Sequence, residues 1–348
     1  MAYTTIDNPE LYFQVKLYTG SGANQSITLD GSEDMQPDLV WLKTRNNTNN
    51  QVWTDSVRGV EKVILSNAVN AEATYTDGLT AFNSDGFSLG DDDDGQMNVN
   101  TNACVAWCWK ANGSGSSNTD GTINTTKTSA NTTSGFSINT FEGTGAIATV
   151  GHGLGAAPTV LIVKKTSQGA NWGIGSVHID SWTDYVVFGT GAKEDDANFW
   201  NDTAPTSTVF SIGSSGNINT DDEDHVAYCF TPIQGFSKFG SYTANGSTDG
   251  VFVYTGFRPA FLMTKLTSTS GGGWEVVDSK RDGYNGENNR LYPNDTAAEG
   301  TGNDYDLLSN GFKVRQSGGS QQSGRVNFYM AFAEQPFVNS NGVPCNAR

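Results

Sequence analysis

Pro158-Thr159-Val160-Leu161-Ile162-Val163-Lys164 is a proline, a mostly apolar run and a lysine six residues after the proline. The same phrase occurs as Pro37-Asp38-Leu39-Val40-Trp41-Leu42-Lys43 and as Pro259-Ala260-Phe261-Leu262-Met263-Thr264-Lys265. Each run is too short for a helix, rich in β-branched and aromatic residues, and apolar at successive positions. Those features predict a central strand buried on both faces. Proline at its start removes no ladder hydrogen bond that a neighbouring strand needs.

Working outward, Phe13, Phe136 and Phe236 stand 24, 22 and 23 residues before these prolines, each opening a strand-like stretch with a glycine turn after it. Phe87, Phe210 and Phe312 follow the lysines by 44, 46 and 47 residues. Ala106, Ala227 and Ala331 come 19, 17 and 19 residues later, in small and aromatic closing strands. Anchors in one order at matched spacing predict three copies of one unit. The boundaries fall at 1–112, 113–234 and 235–348. The second unit begins with a linker or surface excursion, Asn112 to Ser134, part of which could add a strand.

Composition agrees with strands and turns. Gly 41, Asn 33, Ser 31 and Thr 38 make up 143 of 348 residues, against 15 Leu. Such residues favour turns and strands over helices. The expected fold class is all-β, three tandem β-sandwich (jelly-roll-like) repeats of about 100 residues each, forming an elongated or pseudo-threefold body. The only helix-like windows are Ser56 to Glu72 and Asp295 to Leu307, and both could equally be loops.

The charge balance of 37 acidic to 20 basic residues gives −17, which argues against nucleic acid as a partner, since phosphate affinity comes from Lys and Arg. No apolar run approaches the roughly 18 residues of a membrane span, and Met1 to Phe13 has no signal-peptide pattern. The four cysteines, Cys104, Cys108, Cys229 and Cys345, are too scattered for a disulfide framework and read as reduced thiols.

The search for chemistry yields no catalytic, cofactor or metal residues. Gly151-His152-Gly153-Leu154-Gly155-Ala156 has dinucleotide-fingerprint spacing, but Pro158 and a β run follow where a helix is needed. His152, His178 and His225 lack partners at metal spacing, and Asp91-Asp92-Asp93-Asp94-Gly95 fails the EF-hand register. The acidic stretch Asp221-Asp222-Glu223-Asp224 occupies the matching place in the second unit. Both read as solvated loops, with structural cation binding as the alternative. Trp172, Trp182, Trp200 and Trp274 lie in Gly- and Asp-rich segments, where an exposed ring could stack on a sugar. Trp182, Asp184, Trp200 and Trp274 are therefore the receptor-contact candidates.

Several stretches resemble a family of tail-fibre-like virion proteins of marine tailed bacteriophages, of the kind found in cyanophages and pelagiphages. They include Gly135-Phe136-Ser137-Ile138 through Pro158 and Tyr242-Thr243-Ala244-Asn245-Gly246 through Gly256-Phe257-Arg258-Pro259. Asp55-Ser56-Val57-Arg58-Gly59, Ser84-Asp85-Gly86-Phe87 and Asp278-Ser279-Lys280-Arg281 fit the same family. The first unit departs from it where Asp34-Met35-Gln36 replaces the glycine turn before the proline. The resemblance implies a non-enzymatic structural protein of the virion, in the tail or on its outer surface: a tail fibre or host-recognition component. A capsid decoration or head-fibre protein is the alternative, and a polysaccharide depolymerase a further one. The implied partners are other copies of the chain in a homo-oligomer, other virion proteins, and a host-surface glycan or protein, with no cofactor and no membrane insertion.

Overall fold

A computed structural model describes residues 2–281, 285–286 and 288–345. The chain is all-β. Among the described residues its α-helices are two four-residue turns, Val177–Asp180 and Ala197–Trp200, and no helix is long and apolar enough to cross a membrane. Neither helix-like window is helical. The first contains the strand Lys62–Leu65 behind Gly59, whose φ of 108° breaks a helix. Gly300–Gly302 and Tyr305–Leu308 are strands in the second.

Three large antiparallel sheets share one strand order. The first runs Phe13–Thr19, Ala103–Trp109, Leu39–Thr44, Val52–Asp55, and then extends through Lys62–Leu65 and Ala73–Thr74. The second runs Phe136–Glu142, Asp224–Phe230, Val160–Lys165, Gly173–Ser176. The third runs Ser237–Thr243, Val326–Pro336, Phe257–Leu266, Trp274–Asp278. Lys127–Asn131, from the inserted stretch, adds an edge strand to the second sheet. Lys43, Lys164 and Lys265 lie opposite Val105, Val226 and Phe328 on the neighbouring strand.

The register corrects two anchors of the third unit. Ala331 faces Leu262 as Cys108 faces Val40 and Cys229 faces Leu161, so it corresponds to the cysteines and not to Ala106 and Ala227. A two-residue slip keeps a side chain on the same face of a strand, so the small-residue pattern alone does not distinguish the registers. Likewise Ser237, not Phe236, occupies the place of Phe13 and Phe136.

One face of each large sheet covers a smaller sheet and forms a sandwich core of its own. Val40, Ala106 and Cys108 meet Ile27 and Phe87. Leu161, Ala227 and Cys229 meet Val150 and Phe210. Leu262 and Ala331 meet Phe312. The opposite faces all enter one shared core, built from Trp41, Trp107 and Trp109, from Ile162, Tyr228 and Phe230, and from Phe261, Met263, Met330 and Phe332. Rings touch across it: Phe13 and Phe332 have centroids 5.2 Å apart, Trp53 and Tyr228 5.2 Å, and Trp107 and Phe261 5.8 Å. Phe188 contacts Trp41, Trp53, Trp172 and Trp274 and so touches all three units from one loop. The proline-led strands are buried on both faces because one face looks into a sandwich and the other into this common core.

The three lysines join the units in a ring. Lys43 Nζ donates to Thr296 O of the third unit (3.2 Å), Lys164 to Val69 O of the first (3.0 Å), and Lys265 to Gly189 O of the second (3.0 Å). Each also donates to carbonyls of its own unit, including Thr44, Ala170 and Gly272. All three are buried, and desolvation pushes each ammonium down to about 8. The N-terminal segment reaches the end of the second unit and the third unit too. Tyr3 donates its hydroxyl to Gly256 O, Thr4 Oγ1 donates to Gln234 O, and Ile6 enters the shared core.

Candidate functional site

The receptor-contact candidates do not face solvent. Trp182, Trp200 and Trp274 are 3%, 0% and 0% exposed and Asp184 is 6% exposed. Trp182 and Trp200 meet edge to face at 6.1 Å within the second sandwich core. Gly175 makes room there, since a Cβ on it would lie 2.4 Å from the Trp200 ring. Trp274 begins a strand, and its Nε1 donates to Val187 O across a junction at 2.8 Å. Trp172 does the same to Leu65 O at 2.9 Å. Asp184 is held by Lys193 at 2.9 Å. Trp182 and Trp200 pack into the second sandwich core and Trp172 and Trp274 into the shared core, where a covered indole stabilises more than an exposed one. The four residues are therefore corrected from surface contacts to packing residues.

The histidines are tied into the fold. His152 is buried, its Nδ1 accepts the Leu154 N–H, and its Nε2 lies 3.2 Å from Thr206 O. His225 stacks on Phe141, and burial pushes its imidazole down to about 4. His178 N donates to Ser176 Oγ at the start of a short helix. A strand from Val160, not a helix, follows the glycine turn at Gly151 to Ala156. In the acidic loop of the first unit the Asp92 carboxylate accepts the N–H groups of Gln96, Met97 and Asn98 at 3.2, 2.7 and 2.5 Å, closing its own loop. Among the described residues, no three His, Cys, Asp or Glu side chains gather in a way that could hold a metal ion.

Among the described residues the exposed large aromatics belong to the third unit. Phe252 and Tyr254 are 47% and 46% exposed on the outer strand Phe252–Tyr254, while Val253 between them packs towards the sandwich core. Val253 pairs with Phe312 as Ile27 pairs with Phe87 and Val150 with Phe210. The places flanking it are Ser26 and Thr28 in the first unit and Thr149 and Gly151 in the second. The fold is built twice without rings there. Beside Tyr254 lies a groove of about 380 Å³ lined by Tyr3, Gln234, Lys238, Phe239, Tyr254 and Thr255. Tyr3 and Tyr254 share a hydroxyl contact at 3.0 Å, and Lys238 sits 5.3 Å above the Tyr254 ring while donating to its backbone carbonyl. Burial and the neighbouring Tyr254 raise the Tyr3 phenol above its usual range, so it stays protonated. Planar rings beside hydroxyl, amide and ammonium groups can stack on a sugar face and bond its hydroxyls.

Sequence reasoning missed this pair. Val251-Phe252-Val253-Tyr254 is continuously apolar, which reads as a strand buried on both faces. The available signal was the comparison with Ser26 and Thr149 at the matching places.

Over residues 8–336 the chain matches the model of a family described as Domain of unknown function (DUF7483), and it belongs to that family. No curated protein matches it.

Proposed function

We propose that the protein is a structural component of a phage virion, in the tail or a fibre, that contacts the host surface by binding and not by turnover. The observation that carries the host-contact reading is the Phe252–Tyr254 pair. Two half-exposed large rings occupy places where the other units have Ser26 and Thr28, and Thr149 and Gly151, next to a groove with polar edges. Exposed apolar patches of this kind mark contact surfaces. Its ligand is a glycan of the cell surface, stacked on Tyr254 and bonded by Lys238, Gln234 and the Tyr3 hydroxyl. The virion assignment rests on the resemblance in the strand and turn motifs. In a homo-oligomer of virion copies, one weak groove per chain gains avidity through effective concentration.

The test has two arms. Labelled protein is titrated onto host cells and purified host polysaccharide beside the double variant Phe252→Ser, Tyr254→Thr, with released oligosaccharides assayed throughout. Binding that falls at least tenfold in the variant, without release, is the expected result. Equal binding by both proteins removes the groove from the proposal, and steady release at substoichiometric protein makes the chain a depolymerase. In the second arm, gold-labelled antibody on intact virions is expected on the tail. Label on the head assigns the chain to capsid decoration.

A further inference from the structure

Two of the three junctions are built around the same charged chain, and one of them lacks its last member. In the third unit Arg281 donates from Nε to Asp278 Oδ2 at 2.6 Å, from Nη1 to Glu299 Oε2 at 3.0 Å and from Nη2 to Val276 O at 3.0 Å. Arg45 of the first unit then grips Glu299 with both edges of its fork, Nη2 to Oε1 at 2.8 Å and Nε to Oε2 at 2.9 Å. In the first unit Arg58 repeats the pattern with Asp55 Oδ2 at 2.6 Å, Glu72 Oε2 at 2.9 Å and Trp53 O at 3.1 Å. The backbones correspond as well: Glu299 N donates to Arg45 O, and Glu72 N donates to Thr166 O. Thr166 therefore stands in the second unit where Arg45 stands in the first.

The short threonine leaves a gap. A cleft of about 220 Å³ opens between the first and second units, lined in part by Arg58, Glu72, Lys127, Thr166, Asp224 and His225. Among the described residues Glu72 Oε1 accepts no hydrogen bond, and the half-exposed Lys62 Nζ stands 3.8 Å from it. We propose that this cleft is a binding site for a guanidinium group, which would take the place that Arg45 fills at the neighbouring junction. A planar fork matches a carboxylate edge with two parallel bonds, which a point-charge ammonium does not. Arg58 is taken up by Asp55 and Glu72, Lys127 donates to Val57 O at 3.1 Å, and burial keeps the His225 imidazole neutral at pH 7, so the named carboxylates Asp55, Glu72 and Asp224 outnumber the cations Arg58 and Lys127. The remaining junction serves as an internal control, because Ile179, Lys193 and Thr267 occupy the places of Arg58, Glu72 and Arg45 and provide no carboxylate.

A guanidinium could come from a small molecule or from an arginine of a polypeptide, and the test separates the two. The full chain is titrated calorimetrically with L-arginine amide, with the capped tripeptide Gly-Arg-Gly, and with citrulline amide, which keeps the shape without the charge. Saturable binding of an arginine ligand, at least tenfold weaker for citrulline, is expected. A free amide that binds as tightly as the tripeptide indicates a small-molecule site, and a preference for the tripeptide indicates a protein partner. Thr166→Arg should abolish binding and raise Tm by supplying the missing fork from within. Glu72→Gln should weaken binding at least tenfold, provided its circular dichroism and melting stay cooperative. Equal binding of citrulline, unchanged binding by Thr166→Arg, or no saturation at about 10 mM, which means binding weaker than about −2.7 kcal/mol, overturns the proposal.

Discussion

Tyr228 of the second unit donates its hydroxyl to the buried Asp55 carboxylate of the first at 2.7 Å. One junction on, the donor is the Trp107 indole and the acceptor is Asp278, at 3.0 Å. At the remaining junction the corresponding residues are Met330 and Ser176, so donor and carboxylate have both gone. At this place in the sheet a buried carboxylate stands where a donor from the next unit meets it, in keeping with the cost of desolvating an unpaired charge.

Tyr228→Phe should therefore destabilise the protein by about 1–3 kcal/mol, the cost of leaving a buried acceptor short of a donor. Denaturant melts of the two proteins give the difference. A change below about 0.5 kcal/mol, the range of an ordinary surface substitution, would show that the Arg58 pair alone satisfies Asp55.

Stability should rise with pH just above neutrality. Lys43, Lys164 and Lys265 lose their protons near 8 in the folded protein, against an ordinary 10.5, so above pH 8 the unfolded chain binds more protons and unfolding becomes harder. The thiols oppose this from their ordinary value of 9.0 upward, because burial pushes Cys104 to about 11 and Cys229 to about 12. Tyrosines held above 10.0, Tyr228 and Tyr305 among them, add to the loss at higher pH. Tm should increase from pH 7 to 9, level off, and fall beyond 10. A monotonic fall from pH 7 would mean that the lysine sites admit water.

Thiol labelling should divide the cysteines three to one. Cys104, Cys108 and Cys229 are buried and Cys345 is exposed, and a buried thiol with a raised pKa offers little thiolate. Native protein should take up one equivalent of a thiol reagent rapidly and the denatured chain four. Rapid uptake of more than one would show that a sandwich core opens readily.

Phe252→Ser with Tyr254→Thr should leave stability within about 0.5 kcal/mol of the parent, since both rings are about half exposed and such surface changes cost little. A loss above about 2 kcal/mol would mark these rings as packing residues.

The sheets were legible in the sequence because a continuous apolar run between a proline and a lysine leaves few alternatives to a two-face-buried strand. What covers the second face was not legible. Trp41, Trp107 and Trp109 alternate with Leu42, Ala106 and Cys108, and alternation assigns residues to two faces without saying that one face meets a different unit. The candidate site misled for a related reason. Composition around Trp182 and Trp274 describes the backbone's turns, whereas burial of the rings is decided by sheets distant in the chain. The charged junctions were visible as Asp55-Ser56-Val57-Arg58 and Asp278-Ser279-Lys280-Arg281, but their partners Glu72 and Glu299 follow at separations no local pattern marks.

Lys43 waits for Thr296, Arg45 for Glu299 and Thr4 for Gln234. On the ribosome the first unit therefore emerges with Trp107 and Trp109 uncovered, and the second adds Tyr228 and Phe230 to the uncovered area. Only when the strand Val326–Pro336 has left the exit tunnel can the last sheet take its place. Until then the nascent chain carries two adhesive aromatic faces, of the kind that recruits a chaperone or a neighbouring chain. Fragments cut at the unit boundaries inherit the same exposed faces, so the protein cannot be shortened to one or two of its units without creating a surface prone to aggregate.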